Sequence, residues 1–163
     1  MVDSFMPEGL FPVSATAGCR TTDAELTLDA ISMKNAQMVY LYLHFNQAAG
    51  DATAITPLVG TVVATTATAL PNNVEIWYGN TTTAVTTLAK QTDAKLFTLD
   101  VGVTGTVHVI FKIDPAACGG YDCIGGTIGA SGEATNFVSA TWFIQPRYAS
   151  KVGSVATTEY IVD

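Results

Sequence analysis

The chain has 163 residues, a length that fills one domain and buries roughly 68–70% of the unfolded surface, so a core forms without metals or cross-links. Charged residues make up only 13% and the formal net charge is -7, a field that repels phosphate backbones and argues against nucleic acid as a partner. The first basic residue is Arg20 and three cysteines form an odd set; with no apolar run near the 18 or so residues that span a bilayer, the expectation is no visible export signal, no membrane insertion and reduced thiols.

Residues 1–24 set Phe5, Met6, Leu10 and Phe11 among the breakers Pro7, Gly9, Pro12 and Gly18. Neither helix nor regular strand is favoured there, and the segment reads as an extended N-terminal arm, or else a frayed terminus, ahead of a single domain over 25–163. From Met38 to Phe45 the chain alternates, with Val39, Leu41, Leu43 and Phe45 on one face and Met38, Tyr40, Tyr42 and His44 on the other. Both faces are largely apolar, which predicts a central strand. Ala54 to Thr65 is β-branched but interrupted by Pro57 and Gly60, which predicts two short strands or one bent edge strand.

A turn at Pro71-Asn72-Asn73 leads into a strand over Val74–Tyr78, and Gly79-Asn80 makes the next turn. Thr83 to Lys90 is the one place for a short helix, and Lys95 to Leu99 reads as a short strand. Thr106 to Asp114 is the clearest strand, with Val107, Val109, Phe111 and Ile113 on one side. A loop from Cys118 precedes a strand over Cys123–Ile128, and a last strand over Phe137–Gln145 turns Val138, Ala140, Trp142 and Ile144 inward before Pro146. Short strands at turn-bounded spacing, with almost no helical period, predict an all-β domain of the β-sandwich or jelly-roll kind.

Catalysis needs a nucleophile with its base, tuned carboxylates, a metal cluster or a phosphate loop. His44 and His108 sit in mid-strand, opposite the strongest apolar stripe. A His/Cys zinc site would need both strands beside the Cys118–Cys123 loop, whose four-residue gap lies at the edge of zinc spacing with no second pair following. Cys118 and Cys123 are either free thiols or a local disulfide. Gly119-Gly120 and Gly125-Gly126 lack the Lys-Ser/Thr pair of a phosphate cradle and read as bends, and Asn80-Thr81-Thr82 matches a glycosylation pattern in form only. Asp93, Asp100, Asp114 and Asp122 are spread over loops and strand ends as solvated acids. No catalytic, cofactor or metal residue is assigned, and the expectation is a protein that is not an enzyme. Tyr40, Tyr42, Trp77, Trp142 and Phe143 read as core, as interface, or as a shelf on which sugar rings stack.

The run Ala30-Ile31-Ser32-Met33-Lys34-Asn35-Ala36 and the strand after it, Ala69-Leu70-Pro71-Asn72 leading to Ile76-Trp77, Val107 to Pro115, and Asn136 to Thr141 through Pro146-Arg147-Tyr148 form a set of short blocks. Together, over about residues 28–148, they resemble small proteins encoded in the head-gene clusters of tailed bacteriophages. The resemblance implies a capsid cement or decoration protein: a β-rich subunit, commonly a homotrimer, made in the host cytoplasm and bound to the major capsid protein on the outer shell of the virion. A mean hydropathy of +0.33 agrees with hydrophobic surface that other chains cover. The resemblance does not reach the arm, where the apolar Phe5, Met6, Leu10 and Phe11 are separately expected to clamp the shell or a neighbouring subunit; Tyr40 and Tyr42 are expected at a subunit interface. The alternatives are a tail, neck or receptor-binding part of the particle, a carbohydrate-binding β-sandwich, and, weakest, a hydrolase.

Overall fold

The computed structural model describes residues 9–48, 51–80 and 87–147. Twelve strands follow one another in it: β1 (Phe11–Ser14), β2 (Arg20–Thr21), β3 (Leu26–Ser32), β4 (Ala36–Gln47), β5 (Thr53–Gly60), β6 (Thr68–Ala69), β7 (Glu75–Asn80), β8 (Ala89–Lys90), β9 (Phe97–Leu99), β10 (Gly105–Ile113), β11 (Cys123–Ile128) and β12 (Phe137–Pro146). The described residues hold no α-helix, only single 3-10 turns at Val63–Thr65 and Pro115–Ala117.

The strands form two antiparallel sheets. The larger has seven strands in the order β1-β12-β4-β10-β7-β8, with β2 also on β12; the smaller has five, β3-β11-β5-β6, with β9 also on β5. Strands β1-β12-β4-β10 opposite β3-β11-β5-β6 give a jelly-roll order, in which the chain repeatedly crosses from one sheet to the other. The all-β sandwich expected from the alternating strands is therefore the fold.

Its core is the set of inward positions that period-2 alternation selects. Val39, Leu41, Leu43 and Phe45 of β4, Val107, Val109, Phe111 and Ile113 of β10, and Val138, Ala140, Trp142 and Ile144 of β12 are all buried. They meet Leu28, Ile31, Ile55, Val59, Ile124 and Ile128 from the smaller sheet. Trp142 spans the layers, because its indole Nε1–H donates to the Asp29 carbonyl of β3 at 2.8 Å.

Several elements differ from expectation. Within 1–24, Phe11–Ser14 is an edge strand whose register sets Phe11 opposite Ile144 and Val13 opposite Trp142. Pro12 is tolerated because an edge strand has one side free of ladder bonds. Between β1 and β2 the chain bulges outward, and the Thr16 hydroxyl takes over the ladder by accepting from the Ala140 N–H at 3.1 Å. Leu26–Ser32 is a further strand beyond those the alternation marks. Thr53–Gly60 is one interior strand rather than an edge, with β11 on one side and β9 and β6 on the other. Pro57 falls between the residues paired to β9 (Thr53 to Ile55) and those paired to β6 (Leu58 and Val59). Gly79 and Asn80 extend β7 instead of turning, and Ala89–Lys90 is strand, not helix; Thr83 to Thr86 lie outside the described residues.

The glycines of β5 and β11 serve close packing. A Cβ on Gly60 would lie 2.5 Å from the Thr65 carbonyl oxygen, and one on Gly125 would lie 2.5 Å from Thr66 Oγ1. The Val63–Thr65 turn thus rests directly on these backbones, and Gly125-Gly126 is accounted for without a phosphate. Gly60→Ala is expected to lower the unfolding free energy by about 1–3 kcal/mol, the usual penalty for overpacking a tight site, as read from urea denaturation.

Candidate functional site

The residues that alternate with the core on β12, β4, β10 and β7 point away from the smaller sheet, so the larger sheet has an outer face assembled by register. In one row Phe143 lies opposite Tyr40, Tyr40 opposite Lys112, and Lys112 opposite Glu75. In the next, Thr141, Tyr42, Ile110, Trp77 and Lys90 follow one another. A third sets Ser139 beside His44, His44 beside His108, and His108 beside Gly79. All of these side chains except His44 and Lys90, which are exposed, are half-buried by their neighbours, with Gly79 itself buried.

Four rings link across the rows. Tyr42 and Phe143 approach at 6.3 Å between centroids. His44 and His108 stack at 5.0 Å with only 5° between their planes, and the Tyr42 hydroxyl hydrogen-bonds His108 Nδ1 at 2.8 Å. One border of the face is ionic: Lys112 Nζ lies 3.4 Å and Lys90 Nζ 3.9 Å from the Glu75 carboxylate. Such partly exposed pairs contribute little stability and mainly keep that border wet.

Burial pulls the His108 imidazole below its ordinary pKa, and the adjacent His44 lowers it further. Burial pushes the Tyr42 phenol up. A histidine depressed in the folded state binds its proton more readily when unfolded, so its contribution is complete above the unfolded value of about 6.5 and is lost as pH falls through the folded one. Unfolding midpoints are therefore expected to be level above about pH 6.5 and to drop below it. His44→Gln should move the His108 NMR titration midpoint upward.

The other chemistry-bearing residues do not converge. Cys118 donates to the Asp114 carbonyl oxygen at 3.4 Å, whereas Cys123 donates to Asp122 Oδ1 at 3.5 Å. Both thiols are free, and burial pushes each up to about 11, which leaves them protonated and unreactive at neutral pH. His108 is on β10, which leads into their loop, but it sits in mid-strand opposite His44 on the outer face, whereas both cysteines are buried. Among the described residues no group of three or more His, Cys, Asp or Glu side chains is arranged to hold an ion, and no helix is long and apolar enough to cross a membrane.

Of the residues singled out in the sequence, Tyr40 and Tyr42 are on the outer face. Phe11 is only 3% exposed and packs in its own core, which leaves it no surface with which to clamp a partner. Leu10 is half-buried just before β1, and Phe5 and Met6 lie outside the described residues. Trp142 is fully buried, so any aromatic shelf consists of Tyr40, Tyr42, Trp77 and Phe143. Ile110 joins them by pairing with both Tyr42 and Trp77, a position marked in the sequence only by its place on the less apolar side of β10. Comparison of the chain with protein-family models and with curated protein sequences found no match.

Proposed function

We propose that this chain is a structural, non-catalytic protein that coats the outside of a tailed-phage capsid, seated on the major capsid protein as a homotrimer. The observation that carries the reading is the outer face of the larger sheet, where Tyr40, Tyr42, Trp77, Ile110 and Phe143 are neighbours by register. Half-buried aromatic surface bordered by charges suits the centre of a protein interface, which favours Tyr and Trp and excludes charge. A low charge content and a jelly-roll order, an arrangement found among viral capsid domains, support the same reading, as do the short blocks that resemble phage head proteins.

Attachment to a shell has to outlast dilution, which favours several contact regions per subunit and slow release. The segment before β1 is the proposed second region. Because Phe11 and Val13 belong to the core, the informative truncation removes residues 2–8 and leaves β1 whole. Added to capsids stripped of this protein, the truncated chain is expected to fold normally and to dissociate at least about tenfold faster than the full chain. Equal dissociation rates would remove the arm from the proposal.

One observation favours a second reading. Four outward aromatics on an open sheet also suit stacking against sugar rings, and jelly rolls include lectins. Since Trp142 is buried, a glycan that binds this shelf has to quench Trp77. Quenching by a panel of cell-surface glycans that persists in Trp142→Phe and vanishes in Trp77→Phe would favour the glycan reading over the capsid.

A further inference from the structure

We propose that His44 and His108 form a two-nitrogen site for a borderline divalent transition ion of the Ni2+, Cu2+ and Zn2+ class. The two residues face each other directly across β4 and β10. Residues so placed on one face of an antiparallel pair have Cβ atoms about 4.5–5.5 Å apart. That span lets two imidazoles meet at one ion with metal–nitrogen distances of about 2.0–2.1 Å. Their rings now lie parallel at 5.0 Å; rotation about the broad terminal torsion of the exposed His44 side chain turns its nitrogen toward a point shared with His108.

Tyr42 prepares one of the two ligands. Its oxygen lies 2.8 Å from His108 Nδ1, and in the tautomer whose Nδ1–H donates to that oxygen, the Nε2 lone pair is free for the ion. A second hydrogen bond that fixes tautomer and ring plane is the usual support of a metal-bound histidine. Gly79 on β7 is covered by Leu88, so the open side of the pair is that of His44, which is exposed and has the small Ser139 beside it on β12. Glu75, Lys112 and Lys90 belong to rows farther along the sheet. Imidazole nitrogen with water in the remaining positions selects Ni2+, Cu2+ or Zn2+ over Mg2+ and Ca2+, which take oxygen ligands.

The chain has only two histidines, so their imidazole NMR signals give an unambiguous readout. Paramagnetic Ni2+ added to the full untagged chain at pH 7.5 is expected to broaden both sets of signals together, before other resonances, and to saturate at one ion per chain. His44→Gln and His108→Gln should each weaken binding by roughly tenfold or more, and Mg2+ should leave the signals unmoved. Imidazole signals that stay sharp under a large excess of Ni2+ would overturn the proposal, as would Ni2+ affinity unchanged in the double variant. Both substitutions lie on the solvent side of the sheet, and circular dichroism verifies that the variants fold.

Discussion

Trp142→Ala is expected to lower the unfolding free energy by about 3–5 kcal/mol, a large part of the roughly 5–15 kcal/mol that holds a domain folded. Trp142 is the largest of the fully buried side chains, and alanine would leave a cavity between the sheets that the surrounding strands cannot close. The loss would spread beyond the void, because the indole N–H donates to the Asp29 carbonyl, a side-chain bond from β12 to β3. The Asp29 N–H is itself bonded to the Ala15 carbonyl at 2.9 Å, so one residue of β3 ties both the bulge after β1 and the middle of β12. Trp142→Phe keeps most of the volume and removes the donor, and is expected to cost about 1–3 kcal/mol. Urea denaturation followed by circular dichroism measures both variants. A loss under 1 kcal/mol for Trp142→Ala would mean that the layers are not joined there.

The second large effect is expected at the outer face. Substituting Tyr40→Ser, Trp77→Ser and Ile110→Thr together should reduce occupancy on purified capsids by about a hundredfold or more, since a few central aromatic anchors carry most of the energy of an interface. The same variant should keep its thermal midpoint within a few degrees, because these side chains point away from the core and substitutions at the surface cost little. Full occupancy by a folded triple variant would place the capsid contact elsewhere. Loss of folding would instead mean that the outer rows carry stability, and single substitutions would then apportion the effect.

How much of this was legible in the sequence depended on how local each feature is. The strands β10, β11 and β12 could be read almost to the residue, because Val107 to Ile113 and Val138 to Ile144 alternate without interruption and Pro115 and Pro146 mark their ends. Strand β3 could not, since its alternation breaks near Asp29, where the backbone is engaged with Ala15 and Trp142 rather than the usual ladder alone. Strand β1 was hidden by Pro12, which argues against a strand until its place at a sheet edge is known. Gly79 looked like a turn because glycine is rare in strands, but here it lies in β7 against Leu88.

The outer face was half legible. Tyr40 and Tyr42 stand out in an alternating run whose two sides are both apolar, and that pattern marks a strand with something to cover on each face. The pairing of His44 with His108 was beyond reach, because β4 and β10 are separated by five other strands and their register is fixed only when the core closes. A shift of one residue would have turned one histidine inward. The match of His44 to His108 is set by burying Leu43 and Phe45 against Val107 and Val109, a tertiary outcome rather than a local signal.

The most direct test of the central claim is the protein composition of gradient-purified phage particles from a culture that makes this chain, measured against the major capsid protein. A copy number equal to that of the shell protein, or a fixed simple fraction of it, is the predicted result. Absence from the particles, or a handful of copies in each, would contradict it and point to a tail or neck component or to the glycan-binding reading.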